Sequence, residues 1–410
     1  MRFKYFISLI CIIFFYPNFS FASSLESDLA AFNLITNYEL LFFGGIFVIL
    51  MQAGFAVVEG GYENTYKSIS ALLVNYVSAV LGTLIFGFFC AKILLAGDAS
   101  SEKYMNGMLH GWHWNLLFFY TLMATTITTV VGRVIPSKVP LFVNWITGLM
   151  IAGVIFPFFS SWTWGNILFG KGWLKELGFI DFAGSTVVHS TAAWIVLAGY
   201  LTLKPQDRQE ILKKDLIFED YKILSLALAG FILWLAWSGL NVVYISALYA
   251  DIGVIVVNAF AALFGAMIAP LIFSLVLNNK IISWVEMIKG ALGGLVAITA
   301  SCGLVNLSSA LIIGLVSGLF TIYLPRLLTY WIDSKHIREV VVVHGICGAW
   351  GTLAVSLTDN PVINLANKAS IIDQSIGIAV NFVWSFGVAF LVFKLICKLR
   401  NAYSIKSLKN

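Results

Sequence analysis

Two histidines stand out because each lies inside a long apolar stretch. His189 ends the run "DFAGSTVVH" (181 to 189), and His344 lies in "VHGICGAWGTLA" (343 to 354). A bilayer disfavours ionisable side chains, so an intramembrane histidine is by default a candidate functional residue. Neutral imidazole carries one donor and one acceptor nitrogen, which suits it to line an apolar conduit for a small polar molecule. The alternative, for either residue alone, is a histidine hydrogen-bonded within a helix bundle.

The surroundings of both histidines favour a narrow passage. Gly, Ala, Ser and Thr flank each imidazole, and such small residues let membrane helices approach closely. Asp181 lies eight residues before His189, which is ~12 Å along a helix and too far for direct contact with the ring. We expect Asp181 to cap the start of that helix and to fix the outer mouth of the passage. A direct ligand role is the alternative.

The elements that position these residues are predicted to be membrane-spanning helices. The chain of 410 residues is 60% hydrophobic and 11% charged, and its mean hydropathy is +0.91, which indicates an all-α polytopic membrane protein. Eleven stretches are long enough to span the bilayer. They lie at 36 to 58, 68 to 96, 112 to 132, 139 to 160, 183 to 203, 221 to 244, 252 to 278, 281 to 300, 305 to 330, 341 to 358 and 371 to 398.

The amino-terminal end predicts the orientation. Residues 1 to 22 combine Arg2 and Lys4 with a short apolar run and a small-x-small site at Ala22, which is typical of a cleaved signal peptide. An uncleaved first helix is the alternative. With cleavage, the mature amino terminus is outside and the carboxyl terminus is cytoplasmic. The lysines and arginines are concentrated in the connections assigned inside, which independently favours the same topology.

The polar stretch 204 to 220 divides the helices into two groups. Residues 23 to 203 form a first five-helix repeat and residues 221 to 360 a second, followed by an eleventh helix at 371 to 398 and a short tail at 399 to 410. Two successive groups of five helices enter the membrane in opposite senses, which is the arrangement of inverted-repeat transport proteins. His189 and His344 then hold equivalent positions in the two repeats, so both are expected near one central path.

Other kinds of chemistry find no support in the sequence. The five cysteines lack metal-ligand spacing, so neither a metal site nor a disulfide framework is expected. No HExxH or GxSxG motif and no pair of catalytic aspartates occurs, so we expect no enzyme activity, no catalytic residue and no cofactor. Nucleic acid is not an expected partner.

Four motifs resemble the ammonium transporter/Rhesus family, and its ammonium transporter branch in particular. "DFAGSTVVH" is similar to the family's DFAGGTVVH, with Ser185 in place of a glycine, and "VHGICGAWGTLA" is similar to VHGxCGxxG. "MQAGFAVVEGG" (51 to 61) is similar to MQAGFAxxEAG, and "GALGGLVAITASCGLV" (290 to 305) to GxLAGLVAITAxCxxV. The four motifs occur in the family's order, and the resemblance covers nearly the whole mature chain.

The resemblance implies a function and roles for several residues. It implies eleven helices in two inverted repeats, a homotrimer in the bacterial inner membrane, and a pore through each subunit. Ammonium would be recruited at the outer mouth by Trp164, pass an aromatic gate and lose its proton. Ammonia would then pass the twin histidines His189 and His344, and methylammonium is a candidate second substrate. Without the resemblance, Trp164 is equally explained as an interfacial aromatic residue.

The chain departs from the family pattern at the outer gate. Leu122 and Leu240 stand where the resemblance places two gate phenylalanines, and Tyr244 replaces a serine that binds the recruited ion. We assign Tyr244 with Trp164 to recruitment at the outer mouth, because its hydroxyl can bond the ion and its ring adds an aromatic face; the alternative is that it blocks the mouth. Trp237, which begins the same "WSGLNVVY" stretch, is assigned with Asp181 to the vestibule or to a structural role. A receptor-like paralogue that binds ammonium but conducts little is therefore the alternative function. The tail also lacks the GLDxxxHGE motif, so a PII-type regulator is not expected to bind.

Overall fold

Helices form nearly all of the structure, a computed structural model in which no strand occurs among the described residues. The described residues are 40–55, 73, 77, 80–82, 112–132, 141–165, 172–205, 207–209, 211–212, 223–242, 252–277, 284–358 and 369–407. Helix α1 is Leu40–Phe55, α2 is Trp112–Gly132, and α3 is Leu141–Met150, which continues to Phe156–Trp164. Helix α4 is Trp173–Leu177 and α6 is Ile223–Val242. Between them, α5 consists of the π-helical segment Ser185–Ser190 followed by the α-helix Thr191–Thr202. The helices α7 to α11 are Ile252–Leu277, Trp284–Ile298, Leu307–Leu327, Lys335–Val340 continuing to Cys347–Leu357, and Ile371–Ser407.

Several helices have the length and apolarity needed to cross a membrane. Within the described residues, five such segments occur: Phe142–Trp164, Ile252–Ile272, Leu307–Tyr330, Lys335–Leu357 and Ile371–Leu399. Shorter apolar helices occur at Leu40–Phe55, Phe118–Gly132 and Ala227–Asn241. The chain is helical here because a bilayer provides no partners for backbone N–H and C=O groups, which a helix satisfies internally.

The helix bounds agree closely with the apolar stretches of the sequence. Helix α2 coincides with the predicted 112 to 132, and α7 ends one residue before the predicted 278. Of the predicted stretch 68 to 96, only residues 73, 77 and 80–82 are described. The count of eleven spans, the inverted repeat, the topology and the domain bounds therefore stay predictions. The signal peptide at 1 to 22 and Tyr244 lie outside the described residues.

Small residues bring helices α7, α8 and α9 into close contact. A Cβ at Gly314 of α9 would lie 2.0 Å from the Ala262 carbonyl oxygen, and one at Gly318 would lie 2.4 Å from that of Ala266. A Cβ at Gly294 of α8 would lie 2.5 Å from the same Ala262 carbonyl oxygen. Dense packing of this kind holds membrane helices together, because lipid gives little hydrophobic drive for association.

The last helix extends beyond the predicted span. Helix α11 has 37 residues, or ~55 Å at the α-helical rise, and it continues through Ser407 where the sequence predicted a span ending at 398. Residues 399 to 407 contain neither proline nor glycine, so no helix-breaking residue ends it there.

Candidate functional site

The two histidines lie in matching distortions of their helices. His189 belongs to the π-helical segment Ser185–Ser190 and His344 to the π-helical segment Val341–Ile346, and each segment continues directly into an α-helix. In a π-helix the backbone bonds span five residues, and such segments are frequent at functional sites. The histidine side chains are 1% and 8% exposed. Both are therefore buried, at corresponding features of α5 and α10.

The imidazole rings of His189 and His344 pair with each other. Their Nδ1 atoms are 3.3 Å apart, and their ring centroids are 5.4 Å apart with planes inclined by 23°. A hydrogen bond between two Nδ1 atoms requires one to carry the proton and the other to accept it. In neutral rings, the donor ring then has an unprotonated Nε2 and the acceptor ring a protonated one. The pair thus presents one acceptor nitrogen and one donor nitrogen.

The indole of Trp237 covers His189. The two ring centroids are 4.7 Å apart and the planes are inclined by 16°. Trp237 Nε1 donates to Thr299 Oγ1 at 2.7 Å, and that hydroxyl donates to the Leu295 carbonyl at 2.7 Å. His189 Nε2 is buried and has no hydrogen-bond partner in the described part of the chain. A nitrogen in this state is costly to bury, so a small polar molecule that bonded to it would be stabilised there.

The Asp181 carboxylate caps the start of helix α5. Oδ1 accepts the backbone N–H groups of Gly184 at 3.1 Å and Ser185 at 2.9 Å. Oδ2 accepts those of Thr186 and Val187, each at 2.8 Å. The side chain is 3% exposed, and its negative charge interacts favourably with the helix dipole. Both carboxylate oxygens are thus occupied by backbone donors that a helix leaves unpaired at its first turn.

Trp164 is held against the segment that carries Asp181. Its Nε1 donates to the Asp181 carbonyl at 2.7 Å, and its ring meets that of Tyr120 edge-on with centroids 6.1 Å apart. Gly184 has φ +104°, and a Cβ there would lie 2.7 Å from Val188 Cγ2 and 3.6 Å from Trp164, so this turn favours glycine. The structure therefore brings Trp164 and Asp181 together.

Ser185, which departs from the family glycine, joins three helices. Its hydroxyl lies 2.6 Å from the Val296 carbonyl of α8 and 3.1 Å from the Gly348 carbonyl of α10. Ser190, at the other end of the π-helical segment, donates to the Gly345 carbonyl at 3.0 Å. These hydroxyls fix the histidine segment of α5 against α8 and against the histidine segment of α10.

The predicted gate positions are buried on separate helices. Leu122 of α2 is 0% exposed and Leu240 of α6 is 1% exposed. Both are aliphatic, so neither can stack on a cation as the aromatic residues of the family pattern would. Tyr244 lies outside the described residues, which leaves its part in the outer mouth a prediction.

Sequence reasoning missed two residues beside the site. Tyr120 stands two positions before Leu122 and lies between Trp164 and Phe156, whose ring centroid is 5.8 Å away. Gln374 of α11 accepts the Ile180 N–H at 2.8 Å and donates to the carbonyls of Ile180 and Thr352, each at 2.7 Å. A polar residue within an apolar last helix was the signal that could have identified Gln374.

A pair of charges lies on the two helices that carry site residues. Lys289 of α8 and Glu339 of α10 form a salt bridge, and their side chains are 19% and 15% exposed. Glu339 precedes His344 by five residues, and Lys289 precedes Thr299 by ten. The two charges compensate each other in a poorly solvated position, where an unpaired charge would be strongly destabilising.

Comparisons with known proteins agree with the motifs. A sequence model described as the Ammonium Transporter Family matches residues 40–404. The chain belongs to the ammonium transporter family. A Synechocystis protein provisionally named an ammonium transporter is 30% identical over 377 residues, covering 85% of this chain and 67% of that protein. Ammonium transporter Amt1 of Archaeoglobus fulgidus is 28% identical over 386 residues, covering 85% of this chain and 89% of the relative.

Solved structures share the fold of this family member. A structure titled "Sensor Amt Protein" has a TM-score of 0.73 and 28% identity, and the match covers 90% of this chain and 95% of the other. The crystal structure of Candida albicans Mep2 has a TM-score of 0.67 and 18% identity, with coverage of 87% and 83%. At that identity, the Mep2 likeness concerns the fold alone.

Proposed function

We propose that this family member transports ammonium across the bacterial inner membrane and conducts it as ammonia past His189 and His344. Ammonium is recruited at the outer vestibule beside Trp164 and Asp181 and gives its proton to water there, and the ammonia that remains passes to the histidines. The observation that carries this proposal is the buried imidazole pair, with Nδ1 atoms 3.3 Å apart and a buried Nε2 on His189 without a protein partner among the described residues.

The energetics favour the neutral species at the histidines. An ion of this size loses on the order of 20 kcal/mol of idealised hydration energy on entering a low-dielectric passage, and neutral ammonia avoids most of that loss. Ammonia has three N–H donors and one lone pair. The histidine pair presents one acceptor and one donor nitrogen, so it can accept an N–H of ammonia and can donate to its lone pair. Sodium and potassium have no proton to lose and would retain the full penalty.

Uptake measurements test this proposal. Cells that lack their own ammonium transporters should take up labelled methylammonium when they express this protein. Variants His189→Ala and His344→Ala should lose most of that uptake at equal membrane abundance. His336→Ala, eight residues before His344 on the same helix, is the matched control and should retain it. Absence of uptake by the unaltered protein would count against transport.

A binding paralogue that conducts little is the second candidate. The aliphatic residues Leu122 and Leu240 motivate it, together with the likeness to a structure titled as a sensor; the relatives named as transporters favour conduction. Current recordings on solid-supported membranes separate the two functions. A sustained current after an ammonium pulse indicates transport, whereas a small transient that saturates at once indicates binding alone.

The assembly and orientation belong to the same proposal. We infer a homotrimer with one pore in each subunit, an outer amino terminus and a cytoplasmic carboxyl terminus. Crosslinking in membranes and labelling of single cysteines placed at the two ends would test these features independently of transport.

A further inference from the structure

Asn241 is a buried amide without a partner. Its side chain is 0% exposed, and neither Oδ1 nor Nδ2 has a hydrogen-bond partner among the described residues. Asn258, also buried, differs because its Nδ2 donates to the carbonyls of Cys302 at 2.8 Å and Val305 at 2.7 Å. Burying an amide without a hydrogen bond destabilises a protein. A side chain kept in this state points to a ligand.

The position of Asn241 places this amide beside the twin histidines. Asn241 follows Trp237 by four residues on α6, and residues at that spacing lie on one helix face, about 6 Å apart along the axis. The Trp237 indole covers His189. In the proposed topology, α5 leads inward from Asp181 and α6 returns outward, so Asn241 lies one turn outside the stack of Trp237 and His189.

We propose that the Asn241 carboxamide binds the ammonium ion and its deprotonated form immediately outside the twin histidines. This inference rests on the proposed function and deepens it. Oδ1 accepts an N–H of the cation, and Nδ2 donates to the lone pair that ammonia gains when the proton leaves. One uncharged group thereby bonds both species. Asn241 precedes Tyr244, the predicted recruitment residue, by three positions in the sequence, so the amide provides an additional polar group between Tyr244 and Trp237.

The test uses Asn241→Leu, which keeps a similar volume and removes both polar atoms. If the amide serves a ligand, this variant should melt at the same temperature as the unaltered protein or higher, because an unpaired buried amide is removed. Ammonium chloride should raise the melting temperature of the unaltered protein relative to equal sodium chloride, and the variant should lose that rise. Its KM for uptake should increase about tenfold or more, as expected for one lost bond to a charged ligand.

Asn258→Leu is the matched control. It removes two hydrogen bonds within the protein, so it should lower the melting temperature while the ammonium-dependent rise and the KM remain. If Asn241→Leu fails to fold, Asn241→Ala serves as a second variant, because it removes the amide and introduces no new contact.

The outcomes separate this inference from the proposed function. An ammonium-dependent rise that is lost in Asn241→Leu supports the site even if no uptake occurs, in which case only the transport function fails. Uptake with unchanged KM and an unchanged rise in both Asn241 variants overturns the site and leaves transport standing. A lower melting temperature of Asn241→Leu without ammonium also overturns it, because the amide would then have a partner within the protein.

Discussion

Replacing Asp181 by asparagine should destabilise the protein strongly. The carboxylate accepts four backbone N–H groups with two oxygens at 2.8 to 3.1 Å. Asparagine keeps one oxygen, so two of these bonds are lost and its NH₂ group faces two backbone donors. Each hydrogen bond to a charged group contributes about 1.5–3 kcal/mol, so the expected loss of stability is about 3–6 kcal/mol.

Melting curves in detergent, followed by tryptophan fluorescence at one scan rate, measure this effect. Asn306→Ala is the control, because Asn306 is an exposed helix cap that accepts one backbone N–H, from Ser309 at 2.8 Å. Loss of such a cap costs about 0.5–2 kcal/mol. Asp181→Asn should therefore melt well below Asn306→Ala. Equal melting temperatures would refute the assignment of the carboxylate as the anchor of α5.

Two further predictions concern the packing of helices α8 and α10. Lys289→Met and Glu339→Gln should each destabilise the protein because each breaks the Lys289–Glu339 ion pair in a poorly solvated position. The double variant should lose less stability than the sum of the two single losses, by about 0.5–3 kcal/mol of coupling. Additive changes in melting temperature across the four proteins would contradict this. Gly351→Ala should cost about 1–3 kcal/mol or more through overpacking, because its Cβ would lie 2.0 Å from the Ala297 carbonyl oxygen. A Cβ at Gly387, inside helix α11, meets nothing within 4 Å, so Gly387→Ala should leave stability unchanged or raise it by up to about 1 kcal/mol. Equal melting temperatures of the two glycine variants would count against the contact at Gly351.

The positions of the helices could be predicted because lipid makes one requirement of each span. Its residues must be apolar over a length set by the bilayer, so helices α2 and α7 follow directly from their hydropathy. The predicted span 371 to 398 agrees with the apolar segment Ile371–Leu399. Helix α11 itself continues to Ser407, because hydropathy reports the length of the apolar segment and does not determine where the helix ends. Four motifs also predicted the family, and the match of the family model over residues 40–404 confirms that prediction.

The site shows where prediction from sequence ends. His189, His344 and Asp181 were found because ionisable groups are rare in apolar stretches. The π-helical segments that carry both histidines were not foreseen, because no local propensity distinguishes them from the α-helix around them. Tyr120 and Asn241 were missed for a related reason, since the role of an aromatic or amide side chain on a helix depends on the residues that it contacts on other helices.

The sequence alone determined the class of protein, the candidate histidines and the family, because composition and short motifs record what the bilayer and the chemistry require of single residues. The tertiary structure decided which of these residues contact each other. It alone set the 3.3 Å between the Nδ1 atoms of His189 and His344 and the 4.7 Å stack of Trp237 on His189. It also assigned four backbone donors to Asp181 and left Asn241 without a partner in the described chain. These depend on contacts between helices distant in sequence, which only the packed bundle brings together.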